Sequence, residues 1–330
     1  MMSDAATMEA PGDFYRGKRI RVLVGTRAGV AYDLYARLIA DRIGRWIPGE
    51  PEVVVENAPA QGAKGVAGEI YSAAADGLTL GAVSPELYFG QLLGKETAFD
   101  WSKFSWIGTP ERSSHLLHAR AATPYDSLRT IIDAKTPARC GASGKNSTAY
   151  YLPKLLEELF GARFEMKADY KEGPAVDEGI ERGEIDCRVL TISGFFSHEP
   201  YHTWRRTGFV RILLQTGAAR DAKLPDAPTL GEVMDEYRIP DAGRRLAHAI
   251  LSAASFGRPW IAPPDVPAER VVILRNAFMK AARDPATTAE AQEKDLELAP
   301  ASGDELQKLA ADVVAQPPPV IATMRKIFAS

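Results

Sequence analysis

A short β-branched run that stops on glycine and passes into a helix-period pattern constrains this chain more than any other feature. Ile20-Arg21-Val22-Leu23-Val24 ends at Gly25, and a loop runs to Tyr32. Leu34, Leu38, Ile39, Ile43 and Trp46 then recur at helical spacing before Pro48-Gly49. Val53-Val54-Val55 reads as a second strand, Gly65 to Ala75 as a small-residue helix, and Thr79 to Val83 as a third strand. Strands alternating with helices predict a mostly parallel sheet covered by helices, the α/β class. The rhythm restarts at Cys140-Gly141-Ala142, with a Gly/Ser/Asn loop over Ser143 to Ser147 and a helix over Thr148 to Phe160. Phe164-Glu165-Met166, a helix through Val176 and Ile180, and strands at Ile185 to Leu190 and Phe209 to Leu214 continue it. From Val266 to Phe328 the pattern is nearly all helical, broken at Pro317-Pro318-Pro319. Two such units in 330 residues fit the about 150 residues expected per domain.

Composition narrows the function. Lys and Arg number 40 against 43 Asp and Glu, a formal charge of −3, so no basic excess exists to neutralise a phosphate backbone and nucleic acid is not an expected partner. No apolar run approaches the ~18 residues that cross a bilayer. Met1 to Gly12 is small and polar, without the apolar stretch of a secretory leader. Two readings of location stand: a cytoplasmic chain, or one whose leader precedes this numbering. Cys140 and Cys187 form no CxxC; they read as two buried thiols, with a disulfide the alternative in an oxidising compartment.

The motifs that resemble catalytic sites do not hold together. His198-Glu199-Pro200-Tyr201-His202 matches HExxH, but Pro200 fits only the first turn of a helix, which takes His198 off the face that would bind metal. A capped surface turn is the competing reading. Gly144-Lys145 lacks the Gly and the Ser/Thr of a phosphate loop, and Lys145 stands where the nucleophile elbow requires its second Gly. His115 and His118 have no acidic or Cys companion and read as hydrogen-bonded strand or loop residues. No catalytic residue, metal or cofactor is expected.

Ligand capture fits better. Gly25 to Asp33 and Ser143 to Thr148 each lead from a strand into a helix, and a helix start offers unpaired N–H groups and a positive dipole to a carboxylate. Asp33 and Thr148 also read as caps, which would make both loops ordinary turns.

The order Val24-Gly25 through Asp33, Val55-Glu56-Asn57-Ala58-Pro59-Ala60-Gln61-Gly62-Ala63 and Asp76-Gly77-Leu78-Thr79-Leu80 resembles the solute-binding receptors of tripartite tricarboxylate transporters, the Bug family. The likeness continues through Cys140 to Gly144, Tyr170-Lys171-Glu172-Gly173-Pro174-Ala175 and Leu224 to Thr229, in register over roughly residues 15 to 315. It implies a type II periplasmic-binding-protein fold, α/β, with two lobes, a cleft and a two-strand hinge. Lobe 1 would comprise residues 15–116 plus 255–330 and lobe 2 residues 117–254, after a poorly ordered segment 1–14. The crossing strands are placed near His115 to Arg120 and Leu251 to Phe256.

Carried over by position, the resemblance implies ligand contacts at Arg27, Ala28, Gly29, Tyr32, Asp33, Gly62, Ala63 and Ser84. From the other lobe it implies Gly144, Lys145, Ser147, Thr148 and Tyr170. Gly29-Val30-Ala31 and Pro59-Ala60-Gln61-Gly62-Ala63 carry fewer glycines than the family pattern, so side chains narrow the pocket. Arg27 either points inward to grip a carboxylate or outward as a solvated charge. Lys145 and Lys171 read as rim charges, and Tyr32, Phe195 and Phe256 as core or as flanks for an aromatic ligand. The resemblance further implies a periplasmic monomer that captures a mono-, di- or tricarboxylate by hinge closure for membrane transporter subunits. A carboxylate sensor presenting its ligand to a signalling partner is the alternative; a metal-dependent hydrolase is the third.

Overall fold

Strand placement follows the β-branched runs. A computed structural model of the chain describes residues 14–145, 147–170, 173–197 and 199–329. Its contacts divide it into unit 1, residues up to Arg112 with Phe256–Ala315, and unit 2, Ser113–Ser255 with the residues from Gln316 on.

Unit 1 begins β1 (Arg19–Val24), α1 (Ala31–Ile43), β2 (Glu52–Asn57), α2 (Gly62–Ser72), β3 (Thr79–Ala82), α3 (Leu87–Leu92) and β4 (Ser105–Thr109). Unit 2 follows with β5 (His115–Arg120), α4 (Leu128–Ile132), β6 (Ala138–Gly141), α5 (Thr148–Phe160), β7 (Phe164–Lys167), α6 (Gly173–Glu181) and β8 (Cys187–Thr191). It continues with α7 (Ile192–Ser197), α8 (Tyr201–Thr207), β9 (Val210–Gln215), α9 (Leu230–Glu236) and α10 (Asp241–Phe256). The chain ends on β10 (Trp260–Ala262), α11 (Ala268–Ala282), α12 (Pro285–Glu293), β11 (Ala301–Ser302), α13 (Gly303–Val314) and α14 (Pro318–Ala329). Among the described residues no helix is long and apolar enough to cross a membrane.

The sheet of unit 1 runs β11-β4-β10-β3-β1-β2. β1 lies parallel to both β2 and β3, with Val22 opposite Val55 and Leu80, so the loops after these three strands leave from one edge. Ile20, Val22 and Val24 on β1 bury one face against Ile39 and Ile43 of α1 and Leu274 and Phe278 of α11. Each such side chain contributes about 1.5–3 kcal/mol by leaving water. Unit 2 has the order β7-β6-β8-β5-β9, with β5 antiparallel to both neighbours. Its core joins Leu116, Val176, Ile180 and Ile185 to the aromatic set Phe195, Tyr201 and Trp204.

Three expectations are corrected here. Leu251 to Phe256 is not a crossing strand but the last turns of α10, where Leu246, Ala247, Ile250 and Ala253 are buried at helical spacing. Only the last helix leaves lobe 1: the tail through Ala315 belongs to unit 1, but Phe328 stacks on Tyr151 of α5 at 4.2 Å and Lys326 pairs with Glu158 at 2.8 Å, so α14 packs within unit 2. His115 and His118 are buried on β5, but His115 Nδ1 and both His118 ring nitrogens lack partners among the described residues. Burial, helped at His118 by Arg188, holds their pKa values down at about 4 and about 3. Cys140 and Cys187 face each other across β6 and β8 as buried free thiols.

Candidate functional site

Three of the candidate loops leave the same edge of unit 1. Gly25 packs so tightly on the second loop that a Cβ there would lie 2.5 Å from the Gly62 carbonyl carbon and 2.6 Å from the Ala63 amide nitrogen. Arg27, Ala28 and Gly29 are exposed at the tip of the first loop, and Gly62 and Ala63 open α2. Tyr32 is half-buried, and the Ser84 hydroxyl, after β3, donates to Glu86. Burial pushes the Tyr32 phenol up, so it stays protonated and able to donate.

The helix starts differ from others in the chain. α4, α9 and α13 open with capping boxes built on Ser127, Thr229 and Ser302. α1, α2 and α5 open at the candidate loops on Val30, Gln61 and Ser147 with no side-chain cap. α3, α8 and α11 are also uncapped, behind Glu86, Pro200 and Pro267. Side chains therefore leave the first-turn N–H groups of three long helices for a ligand or water. Gly29 and Gly62 (φ +83° and +63°) and Gly144 (φ +132°) have nothing within 4 Å of where a Cβ would sit, so the backbone there is open to approach.

Asp33 is engaged within the protein. Its buried carboxylate accepts from the Gly29 amide at 2.8 Å, from Arg37 Nε at 3.0 Å and from Asn57 Nδ2 at 2.9 Å, so it staples the first loop to α1 and β2. Burial alone would raise its pKa; Arg37, Gly29 and Asn57 outweigh that and hold it below the usual carboxylate value. Asp33→Ala should therefore cost about 2–3 kcal/mol at neutral pH, read by urea unfolding. A depressed carboxyl contributes stability above its unfolded pKa of about 3.9 and loses it as pH falls through the folded value, so wild type and variant should converge in acid. A difference independent of pH would contradict the staple.

In unit 2, Gly144, Lys145, Ser147 and Thr148 come together as the loop entering α5. The expected cap at Thr148 is corrected: Ser147 holds the N-cap position, and its hydroxyl donates to the Gly144 carbonyl at 2.8 Å instead of capping. Lys145 is exposed and sits 5.9 Å from the Tyr150 ring. Tyr170 follows β7. Its ring lies over Gly179 near the far end of α6, where a Cβ would meet the phenol oxygen at 2.6 Å, and the hydroxyl contacts Glu184. Lys171 and His198 fall outside the described residues. Glu199 accepts from the Thr203 amide at 3.1 Å at the start of α8, and His202 Nε2 lies 2.9 Å from the Phe196 carbonyl. Phe195 and Phe256 are core residues.

Sequence reasoning missed Arg188. It lies on β8 with Asp177 and Tyr201, whose hydroxyl accepts from it at 2.7 Å, beside a cavity of about 250 Å³ also lined by Gly173 and Thr191. An arginine inside Cys-Arg-Val-Leu-Thr, an otherwise strand-forming run, was the available signal. The other missed residue is Arg258, which pairs with buried Glu111 and lies over Tyr35 at 4.6 Å and Tyr32 at 5.7 Å.

The family described as "TctC: Tripartite tricarboxylate transporter family receptor" matches residues 36–325. A Cupriavidus necator relative, "UPF0065 protein in gbd 5'region", is 27 % identical over 284 residues, 84 % of this chain and 78 % of that one. The structure of a TctC solute binding protein from Polaromonas is similar with a TM-score of 0.74 at 19 % identity, covering 94 % of this chain and 99 % of that one. "R. palustris Rpa4515 with adipate" gives a TM-score of 0.59 at 19 % identity over 94 % and 96 % of the two chains. The fold is the type II periplasmic-binding fold.

Proposed function

The chain belongs to the tripartite tricarboxylate transporter receptor family, and on that premise we propose that it captures a small organic acid and delivers it to membrane transporter subunits from the periplasm. It does so without chemistry, by the hinge closure that the resemblance implies. The observation that carries this reading is the pair of uncapped helix starts, α1 and α2, held against each other at Gly25 and Gly62. Amides so placed suit a carboxylate and do not dictate the rest of the molecule. The uncapped start of α5 offers the same chemistry in unit 2. Adipate, the ligand named with one structural relative, makes a dicarboxylate the first compound to try.

Arg27 is the charged side chain exposed at the tip of the first loop, and we propose that it meets the second carboxylate of a bound diacid. Arg27→Ala should weaken a dicarboxylate by about 1–3 kcal/mol, about 5- to 150-fold in Kd, with the melting temperature unchanged. Equal affinity would return Arg27 to the loop surface. Native mass spectrometry of the protein as purified tests the wider reading: a bound mass matching an organic acid supports it, and a bound cation, sugar or peptide in its place contradicts it.

A further inference from the structure

Unit 2 holds a second cavity with a chemistry of its own, at the ends of β9 and α9. It measures about 300 Å³ and lies between one face of α10, the start of α9 and the chain segments at Ser113 and Thr216. In the sheet order, β9 is three strands from β6, which carries the Gly144 loop, and strand spacing puts them about 14 Å apart. It is a separate cavity from the one beside Arg188, with no lining residue in common.

Its lining sets a row of polar side chains on α10 beside apolar ones. Arg244, His248, Ser252 and Ser255 occupy one face of α10, spaced by four, four and three residues. Leu230 and Met234 of α9 with Leu251 are among the apolar ones. Arg244 is set in place from outside the cavity: Nε donates to the Ile239 carbonyl at 3.0 Å and Nη2 to Asp235 at 2.6 Å. Nη1 makes no hydrogen bond among the described residues. The Thr216 hydroxyl accepts from the His115 amide at 2.9 Å, which leaves its own proton to donate. None of the described lining residues is acidic, whereas the cavity beside Arg188 contains Asp177 and Glu199. Arg244, held beside α9 by Asp235, with Leu230 and Met234 of the same helix lining the cavity, matches an anionic head on a short apolar body.

We propose that this cavity is a second ligand site, specific for a short-chain monocarboxylate whose head meets Arg244 and whose chain lies on Leu230 and Met234. It does not depend on the loops of unit 1. Met234 supplies the readout, because no methionine lies among the residues assigned to the first site. In protein labelled at its methionine methyl groups, with Met234 assigned by Met234→Leu, titration with butyrate should shift the Met234 resonance saturably. Butyramide, the same size without charge, should fail to do so. Arg244→Gln should weaken the butyrate response at least tenfold, and because the Asp235 partner is exposed the variant should keep its fold. Ala247→Phe, which fills the cavity, should abolish the response. Arg27→Ala should leave it unchanged, so the two sites can fail separately. No saturable shift, an equal shift with butyramide, or a butyrate response that survives Arg244→Gln each overturns the proposal.

Discussion

Gly25→Ala should cost the protein its ligand and part of its stability together. The added methyl would sit 2.5–2.6 Å from the main-chain carbon of Gly62 and nitrogen of Ala63, and main-chain atoms have no rotamer by which to give way. Forcing a methylene into a packed contact costs about 1–3 kcal/mol, and the loops can accommodate it only by moving apart. That separation shifts the first-turn N–H groups of α1 and α2 relative to each other, which breaks the spacing a carboxylate would use. Calorimetry should show binding at least tenfold weaker, and urea unfolding a lowered midpoint with the slope unchanged. A variant that melts and binds like wild type would show that the two loops do not need this close approach.

Arg258→Met should be the most destabilising single change on the same edge of unit 1. Glu111 is 2 % exposed and is paired with Arg258, and its pKa is raised by burial with Arg258 opposing the rise. Removing the guanidinium strands a carboxylate in the interior, at a cost of about 3–5 kcal/mol. An acid whose folded pKa is raised binds more protons when folded. Its stabilising effect is complete below the unfolded value and is lost as pH rises through the folded one. The deficit of the variant should therefore be largest near neutral pH and shrink toward the acid side, where Glu111 protonates. Glu111→Leu combined with Arg258→Met should recover most of the loss, since no charge is left buried. A deficit that is flat with pH would mean the damage is lost packing on Tyr32 and Tyr35 alone.

The sequence was most legible where one pattern covered a whole element. The strand ending at Val24 and the helix from Thr148 to Phe160 were readable from periodicity and from the glycines that end them. Elements made by distant packing were not. β4 and β10 are short antiparallel strands whose residues become a sheet only once Trp260 and Ile261 meet Gly108 and Trp106. α10 was hidden because an alanine-rich run between two glycines fits a connecting segment as well as a helix, until Leu246 and Ile250 are buried. The loops of the candidate site were found by their glycines, but the roles inside them were not all visible. Asp33 looks like a ligand contact or a cap from its position. Only Asn57, on the neighbouring strand, shows that its carboxylate is already spoken for. Tyr170 follows a strand as a site residue should, yet Gly179 opens a berth that draws its ring the other way. Gly25 is one glycine among several in sequence, and its place against Gly62 depends on two parallel strands lying side by side.

The central claim is that main-chain amides at uncapped helix starts bind a carboxylate. Calorimetric titration of refolded, ligand-stripped protein tests it most directly, using mono-, di- and tricarboxylates, aromatic diacids and the methyl ester of each. Saturable binding of at least one acid at one molecule per chain is expected, lost on esterification and weakened at least tenfold by Gly25→Ala. Silence across the whole panel from protein that unfolds cooperatively, or an ester that binds as well as its acid, would contradict it.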